Sequence, residues 1–307
     1  MISSFFSKTK PFNYLVILGL CTVFYILLVF LSLQGTSETS IFFPKFVGLL
    51  FLLLTFFAIN PTLKADKLAE LSSFTMLFYA LLLAAFLPAL ISNKIIISNF
   101  LILLAIDKVL ALKFDKRNTY KIFEASLFVF LSSILVEWTL VFLIPIYLGI
   151  YAYSSTQLRN WLMPFAALTV SIMGIMGYMA LFNDWDFIQN QYAFKLNTNF
   201  DYGTYISSIC YLVLSLTIII ITMVKLGNRG IGRVLSLRLL LAYFLLGFLI
   251  LFLSSEYGRY AMVYTFFAAS VFLTNYLETI KNRRFKEVLL NVLIVASLIL
   301  AISHLIQ

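Results

Sequence analysis

Residues 113–153 read KFDKRNTYKIFEASLFVFLSSILVEWTLVFLIPIYLGIYAY. A basic run, Lys113, Lys116, Arg117 and Lys121, opens the stretch. A mostly apolar segment follows as far as Tyr153, interrupted by Glu137 next to Trp138. A membrane helix takes roughly 20 residues, so this segment is too long for one span and too short for two of ordinary length. The economical reading is a hairpin of two short helices, 121–136 and 139–153, with Glu137-Trp138 near its tip. A helical arm of about 15 residues rises roughly 22 Å, against a hydrocarbon core about 30 Å thick. The tip therefore stops below the outer interface or opens into a polar cavity. An ionisable residue at that depth faces a cavity or a partner, or reaches water through local thinning of the bilayer.

The rest of the chain continues in the same vein. Of 307 residues, 62% are hydrophobic and 11% charged, whereas a soluble domain is about 25% charged. Apolar runs of span length recur from end to end. These observations predict an all-α, polytopic transmembrane helical bundle with residues 1–307 as a single integral membrane domain. Around the hairpin the expected spans are 12–33, 43–60, 71–92, 95–112, 161–182, 202–224, 239–253, 260–277 and 288–305, eleven in all. The first run follows Lys8 and Lys10 and is not succeeded by a small-x-small cleavage pattern, so it reads as a retained span. Pro11 suits the first turn of its helix, where a missing N–H costs nothing.

Lysine and arginine concentrate on the cytoplasmic side of membrane proteins. With the N-terminus inside, only Lys45, Lys94, Lys195 and Arg259 of the 22 basic residues fall outside. A missed or invented span would put later basic loops on the wrong side. The split therefore predicts eleven spans with a cytoplasmic N-terminus and a C-terminus on the outer side. It also accounts for the net charge of +9 by attraction to anionic inner-leaflet phospholipid, without nucleic acid. Lys225, Arg229, Arg233 and Arg238 would line one face of a helix on the inner surface, or are ordinary inside-loop charges. Glu124 is expected to pair with Lys121, and Asp107 with a base in the 113–116 run.

Much chemistry is excluded. His304 is the single histidine, Cys21 and Cys210 both lie within apolar runs, and no phosphate-binding glycine loop or metalloprotease helix is present. The outward acids remain. Glu38, in the short first outer loop, can act as a base or is a solvated loop residue. Glu137 is the second candidate base. Asp184 and Asp186 flank Trp185, and two carboxylates at that spacing can share Mg²⁺ or Mn²⁺. The aromatic residues Phe187, Tyr192, Phe194, Phe200 and Tyr202 that follow could close over a lipid-linked or sugar substrate, or form an interfacial belt. Arg259 can hold a phosphate by its fork of donors or pair with Glu256.

Two resemblances bear on function. The opening 1–13, MISSFFSKTKPFN, with Ile122-Phe123-Glu124-Ala125-Ser126, Arg159-Asn160-Trp161-Leu162-Met163-Pro164 and Thr274-Asn275-Tyr276, resembles an uncharacterised Bacteroidota family of polytopic inner-membrane proteins. That resemblance implies a role in the cell envelope. In architecture the chain is similar to the C-type glycosyltransferases that use polyprenyl-phosphate sugars, which share a cytoplasmic N-terminus, about eleven or more spans, a short mid-chain hairpin and outward catalytic carboxylates. Their first outer loop is long and carries a key acid; here it is short, with Glu38 as its candidate.

The likeness implies a glycosyltransferase-like protein handling a polyprenyl-phosphate-linked sugar at the periplasmic face. Glu38 or Glu137 would be catalytic, Arg259, Glu256 and Trp185 would bind substrate, and Asp184 and Asp186 would hold the metal. The alternatives are a non-catalytic scaffold or subunit with membrane protein partners, and a transporter.

Overall fold

The computed structural model describes residues 11–32, 42–66, 72–113, 118–196, 202–226, 231–255 and 257–306. Twelve helices follow one another: α1 Pro11–Ser32, α2 Phe42–Asp66, α3 Ser72–Ala85, α4 Asn93–Leu110, α5 Asn118–Ser133, α6 Leu143–Ser154, α7 Leu158–Phe182, the single-turn α8 Phe187–Gln191, α9 Tyr202–Leu226, α10 Ile231–Leu253, α11 Val263–Thr279 and α12 Arg283–Ile306. Short 3-10 turns lie at Leu87–Leu90, Ala111–Lys113, Glu137–Phe142 and Gly258–Met262. Among the described residues, nine helical segments are long and apolar enough to cross a membrane. The all-helical chain thus has the make-up of a multi-pass membrane protein.

Two expected spans differ from what is found. The run 71–92 is not one helix: α3 stops at Ala85 and gives way to a 3-10 turn. Phe86 leaves the helical region (φ −122°, ψ 49°). Pro88 falls in the first turn of the 3-10 segment and supplies no N–H to continue the α-helix. In the hairpin, α5 ends at Ser133, and Glu137 opens a 3-10 turn that feeds α6. The tip is therefore Ile134–Val136, one turn earlier than the acid itself.

Side-chain contacts sort the connections into two ends. At one end Tyr25 Oη donates to Lys45 O, Lys45 Nζ donates to Ile91 O, and Asn93 Nδ2 donates to Pro44 O. At the other end Tyr14 Oη donates to Asn60 Oδ1, Thr119 Oγ1 donates to Asn160 Oδ1, and Lys108 pairs with Glu124 at 2.7 Å. Hence α4 and α5 run antiparallel, with Ser98 beside Ser132 near the first end and Lys108 beside Glu124 near the second. The expected Glu124–Lys121 pair is replaced by this one, because Lys121 Nζ donates instead to Ala111 O. Asp107 makes no ion pair among the described residues.

The core is centred on α11, in which every residue from Val263 to Asn275 is buried. Its polar groups are satisfied locally: Thr265, Ser270, Thr274 and Asn275 each donate back to a carbonyl three or four residues earlier. Thr75 on α3 then donates to Thr274, and Tyr211 on α9 lies 2.9 Å from Thr265. The outer helices are the reverse. On α12, Val288, Val292, Val295, Ile299 and Ile302 form an exposed stripe, and α7 exposes Leu162, Phe165, Met173, Met176 and Leu181. Apolar side chains turned outward over whole helices suit a hydrocarbon solvent.

Candidate functional site

The hairpin tip is where polar groups gather. Ser133 Oγ donates to Phe130 O and Thr139 Oγ1 to Val136 O, so hydroxyls on both sides of the turn are satisfied by nearby backbone carbonyls. Tyr257, from the connection before α11, donates its hydroxyl to Leu135 O at 3.2 Å and pins the tip. Glu137 follows and is only 5% exposed. It lies close enough to Tyr264 to act on it electrostatically, as does Tyr257. Tyr264 Oη is 2.7 Å from Ser98 Oγ, which is 2.6 Å from Ser132 Oγ. Hydroxyls contributed by α4, α5 and α11 thus form one bonded chain, Ser132–Ser98–Tyr264.

A strap, residues 192–196, crosses this cluster. Tyr192 Oη is 3.1 Å from Ser133 Oγ, and the Phe194 ring meets Trp138 edge-on, centroids 5.4 Å apart. Lys195 O accepts from Ser255 N–H, and Leu196 forms an isolated antiparallel bridge with Ser254. Phe194 takes φ 43°, a left-handed conformation unfavourable for a bulky residue. Trp138, next to the acid, is therefore covered by an aromatic strap.

The other candidates lie elsewhere on the same loop or outside view. Asn183, left-handed at φ 54°, ends α7 and accepts from Trp185 Nε1 at 3.1 Å. Trp185 is 63% exposed. Asp186 is exposed and Asp184 partly so, and neither makes a side-chain hydrogen bond or ion pair among the described residues. No group of three or more His, Cys, Asp or Glu comes together among the described residues. Glu38 and Glu256 lie outside the described residues, as does the side chain of Arg259, whose backbone belongs to the turn Gly258–Met262. The structure therefore brings Tyr192 and Phe194 onto Ser133 and Trp138 at the hairpin tip, and leaves Asp184, Trp185 and Asp186 on the exposed part of the loop.

Ser98, Ser132 and Tyr264 are not among the sequence-derived candidates. Each is a polar residue inside an apolar helix; the adjacent pair Ser132-Ser133 shortly before Glu137 was the available signal.

The opposite end carries a second polar group. Arg233 donates to Asn275 Oδ1 at 2.7 Å and pairs with Glu278 at 3.4 Å. Lys225 sits over the Tyr276 ring and Lys286 over Phe74. Arg233 is accordingly turned onto α11, while Arg238 is exposed, so these two do not share one surface face; Arg229 lies outside the described residues.

No protein-family model, curated protein or solved structure matches the chain.

Proposed function

We propose that this chain is a multi-pass protein of the bacterial inner membrane, acting in envelope biogenesis as a glycosyltransferase-like protein that handles a polyprenyl-phosphate-linked sugar at the periplasmic face. The observation that carries the reading is the buried Glu137, in a turn whose next residue, Trp138, is packed by Phe194 of the strap and whose preceding helix end carries the bonded hydroxyls of Ser132 and Ser133. A carboxylate withdrawn from bulk water is a suitable general base for a sugar hydroxyl, and aromatic rings beside it suit the apolar face of a sugar.

Eleven passes, with the basic end cytoplasmic and the Glu137 end periplasmic, complete the proposal. The charge split and the grouping of Arg233, Lys225, Lys286 and Lys108 at one end support it. Glu38 is the second base, Arg259 and Glu256 contact the donor phosphate and sugar with Trp185, and Asp184 with Asp186 is the place for Mg²⁺ or Mn²⁺.

Transfer of labelled hexose from a polyprenyl-phosphate hexose, measured in membranes that contain the chain, tests this. Glu137→Gln is expected to lower the rate by roughly 10²-fold or more. Undiminished transfer by a chain carrying Glu137→Gln, Glu38→Gln and both Asp184→Asn and Asp186→Asn sinks the enzymatic reading.

The second reading, a non-catalytic subunit with membrane protein partners, has one observation in its favour. The hydroxyls of the cluster are satisfied by one another and by backbone carbonyls, as in a purely structural knot. The transporter reading draws on the Arg233–Glu278 pair alone, since paired intramembrane charges also mark transport pathways.

A further inference from the structure

Beneath the strap one strong donor is unaccounted for. Trp138 is 9% exposed, and its indole Nε1–H is buried with no hydrogen-bond acceptor among the described residues. Buried donors of this kind are rare, because leaving one unsatisfied costs its desolvation. The ring is shielded by Phe194, the strap residue whose backbone is left-handed. Strained residues in tight coverings are a recurrent mark of elements that move for function. The strap's polar attachments are few: Tyr192 to Ser133, Ser255 N–H to Lys195 O, and the Leu196–Ser254 bridge.

We infer that Trp138 Nε1–H is a binding group for a saccharide hydroxyl, and that the strap 192–196 is the lid which lifts from it. The chemistry of the ligand follows from the neighbours. Nε1–H needs an oxygen acceptor. An indole N–H is a neutral donor, whereas a phosphate is matched by the charge-assisted donors of a cation, so the acceptor at Nε1–H is uncharged. A hydroxyl fits, and its neighbour on a sugar ring can donate to an acidic group. This rests on the saccharide reading above and deepens it: the sugar, and not the phosphate or the tail, is the part recognised at Trp138.

The chain has three tryptophans. In the full chain carrying Trp161→Phe, with Trp185 left in place, the part of the emission change that Trp138→Phe removes reports Trp138. Two probes are titrated in mild detergent, a short-chain prenyl-phosphate hexose and the same prenyl phosphate without the sugar, with native mass spectrometry counting what is bound. The hexose probe is expected to shift Trp138 emission and the sugar-free probe to leave it unchanged. Trp138→Phe, which keeps an aromatic ring but removes the donor, is expected to weaken the hexose probe about five- to tenfold. Phe194→Ala, which keeps the reporter and removes the cover, is expected to tighten it roughly two- to tenfold.

Binding of the hexose probe without any change in Trp138 emission, and with equal affinity in the Phe194→Ala chain, overturns the Trp138 subsite while leaving the saccharide reading in place. Equal shifts with both probes overturn sugar recognition at Trp138. If neither probe binds, the saccharide reading fails and the subsite with it.

Discussion

Tyr264 Oη stands 2.7 Å from Ser98 Oγ, tying α11 to α4 just beneath the Glu137 turn. A contrasting tyrosine lies nearby: Tyr243 stacks on Phe142, as Tyr264 also packs against it, yet its buried hydroxyl has no hydrogen-bond partner. Removing a paired buried hydroxyl costs about 1 kcal/mol, whereas removing an unpaired one relieves a desolvation cost. Tyr264→Phe is therefore expected to lower the thermal midpoint in detergent, and Tyr243→Phe to leave it unchanged or raise it. The opposite ranking contradicts the hydrogen-bond assignment at Ser98.

Arg233 and Glu278 form the most enclosed ion pair among the described residues, with side chains 16% and 7% exposed. Breaking such a pair leaves a desolvated charge and costs about 3–5 kcal/mol, while replacing both partners by apolar groups is often neutral. Glu278→Gln is expected to destabilise strongly, and Arg233→Met combined with Glu278→Leu to recover most of the loss. The half-exposed Lys108–Glu124 pair is the control, with Glu124→Gln costing under about 1 kcal/mol. Thermal unfolding of the three variants beside the unaltered chain in one detergent checks the order.

Gly48 and Gly177 separate packing from propensity. A Cβ on Gly48 would come within 2.6 Å of both Asn93 Oδ1 and Tyr25 Oη. Neither neighbour yields easily, since Asn93 is held by Pro44 O and Tyr25 by Lys45 O. Gly177, on the exposed face of α7, would meet nothing within 4 Å. Alanine in a helix is favoured over glycine by up to about 1 kcal/mol where there is room. Gly177→Ala is expected to be neutral or stabilising and Gly48→Ala destabilising, again by thermal melt.

The sidedness has its own test. In a Cys210→Ser background, Asp186→Cys is expected to react with an impermeant maleimide in cells whose outer membrane is opened, and Lys281→Cys only after the inner membrane is broken. Cys21 is buried and stays silent. Labelling of Lys281→Cys in cells with an intact inner membrane reverses the proposed orientation.

How far the sequence carried the reading differs from place to place. Long helices were legible because apolar runs of span length have few other outcomes; α7 and α12 were expected within a few residues of where they begin and end. The hairpin was legible because a lone acid interrupts an apolar run. The shortness of α3 was signalled by Pro88, whose missing N–H outweighed the continuing hydrophobicity. The cluster around Glu137 was not legible, since Ser98 and Tyr264 are 166 positions apart and serines and tyrosines occur throughout these helices. The aromatic loop was visible as composition, but which ring reaches Trp138 depends on the left-handed turn at Phe194, for which no glycine or asparagine gives warning.

Mass spectrometry of what copurifies with the full chain from its native membrane in mild detergent tests the proposed function most directly. A polyprenyl-phosphate species in stoichiometric amount, lost on Arg259→Ala, is the predicted result. A stoichiometric protein partner accompanied only by bulk phospholipid contradicts the transferase reading and makes the Glu137 cluster a structural joint of a larger assembly.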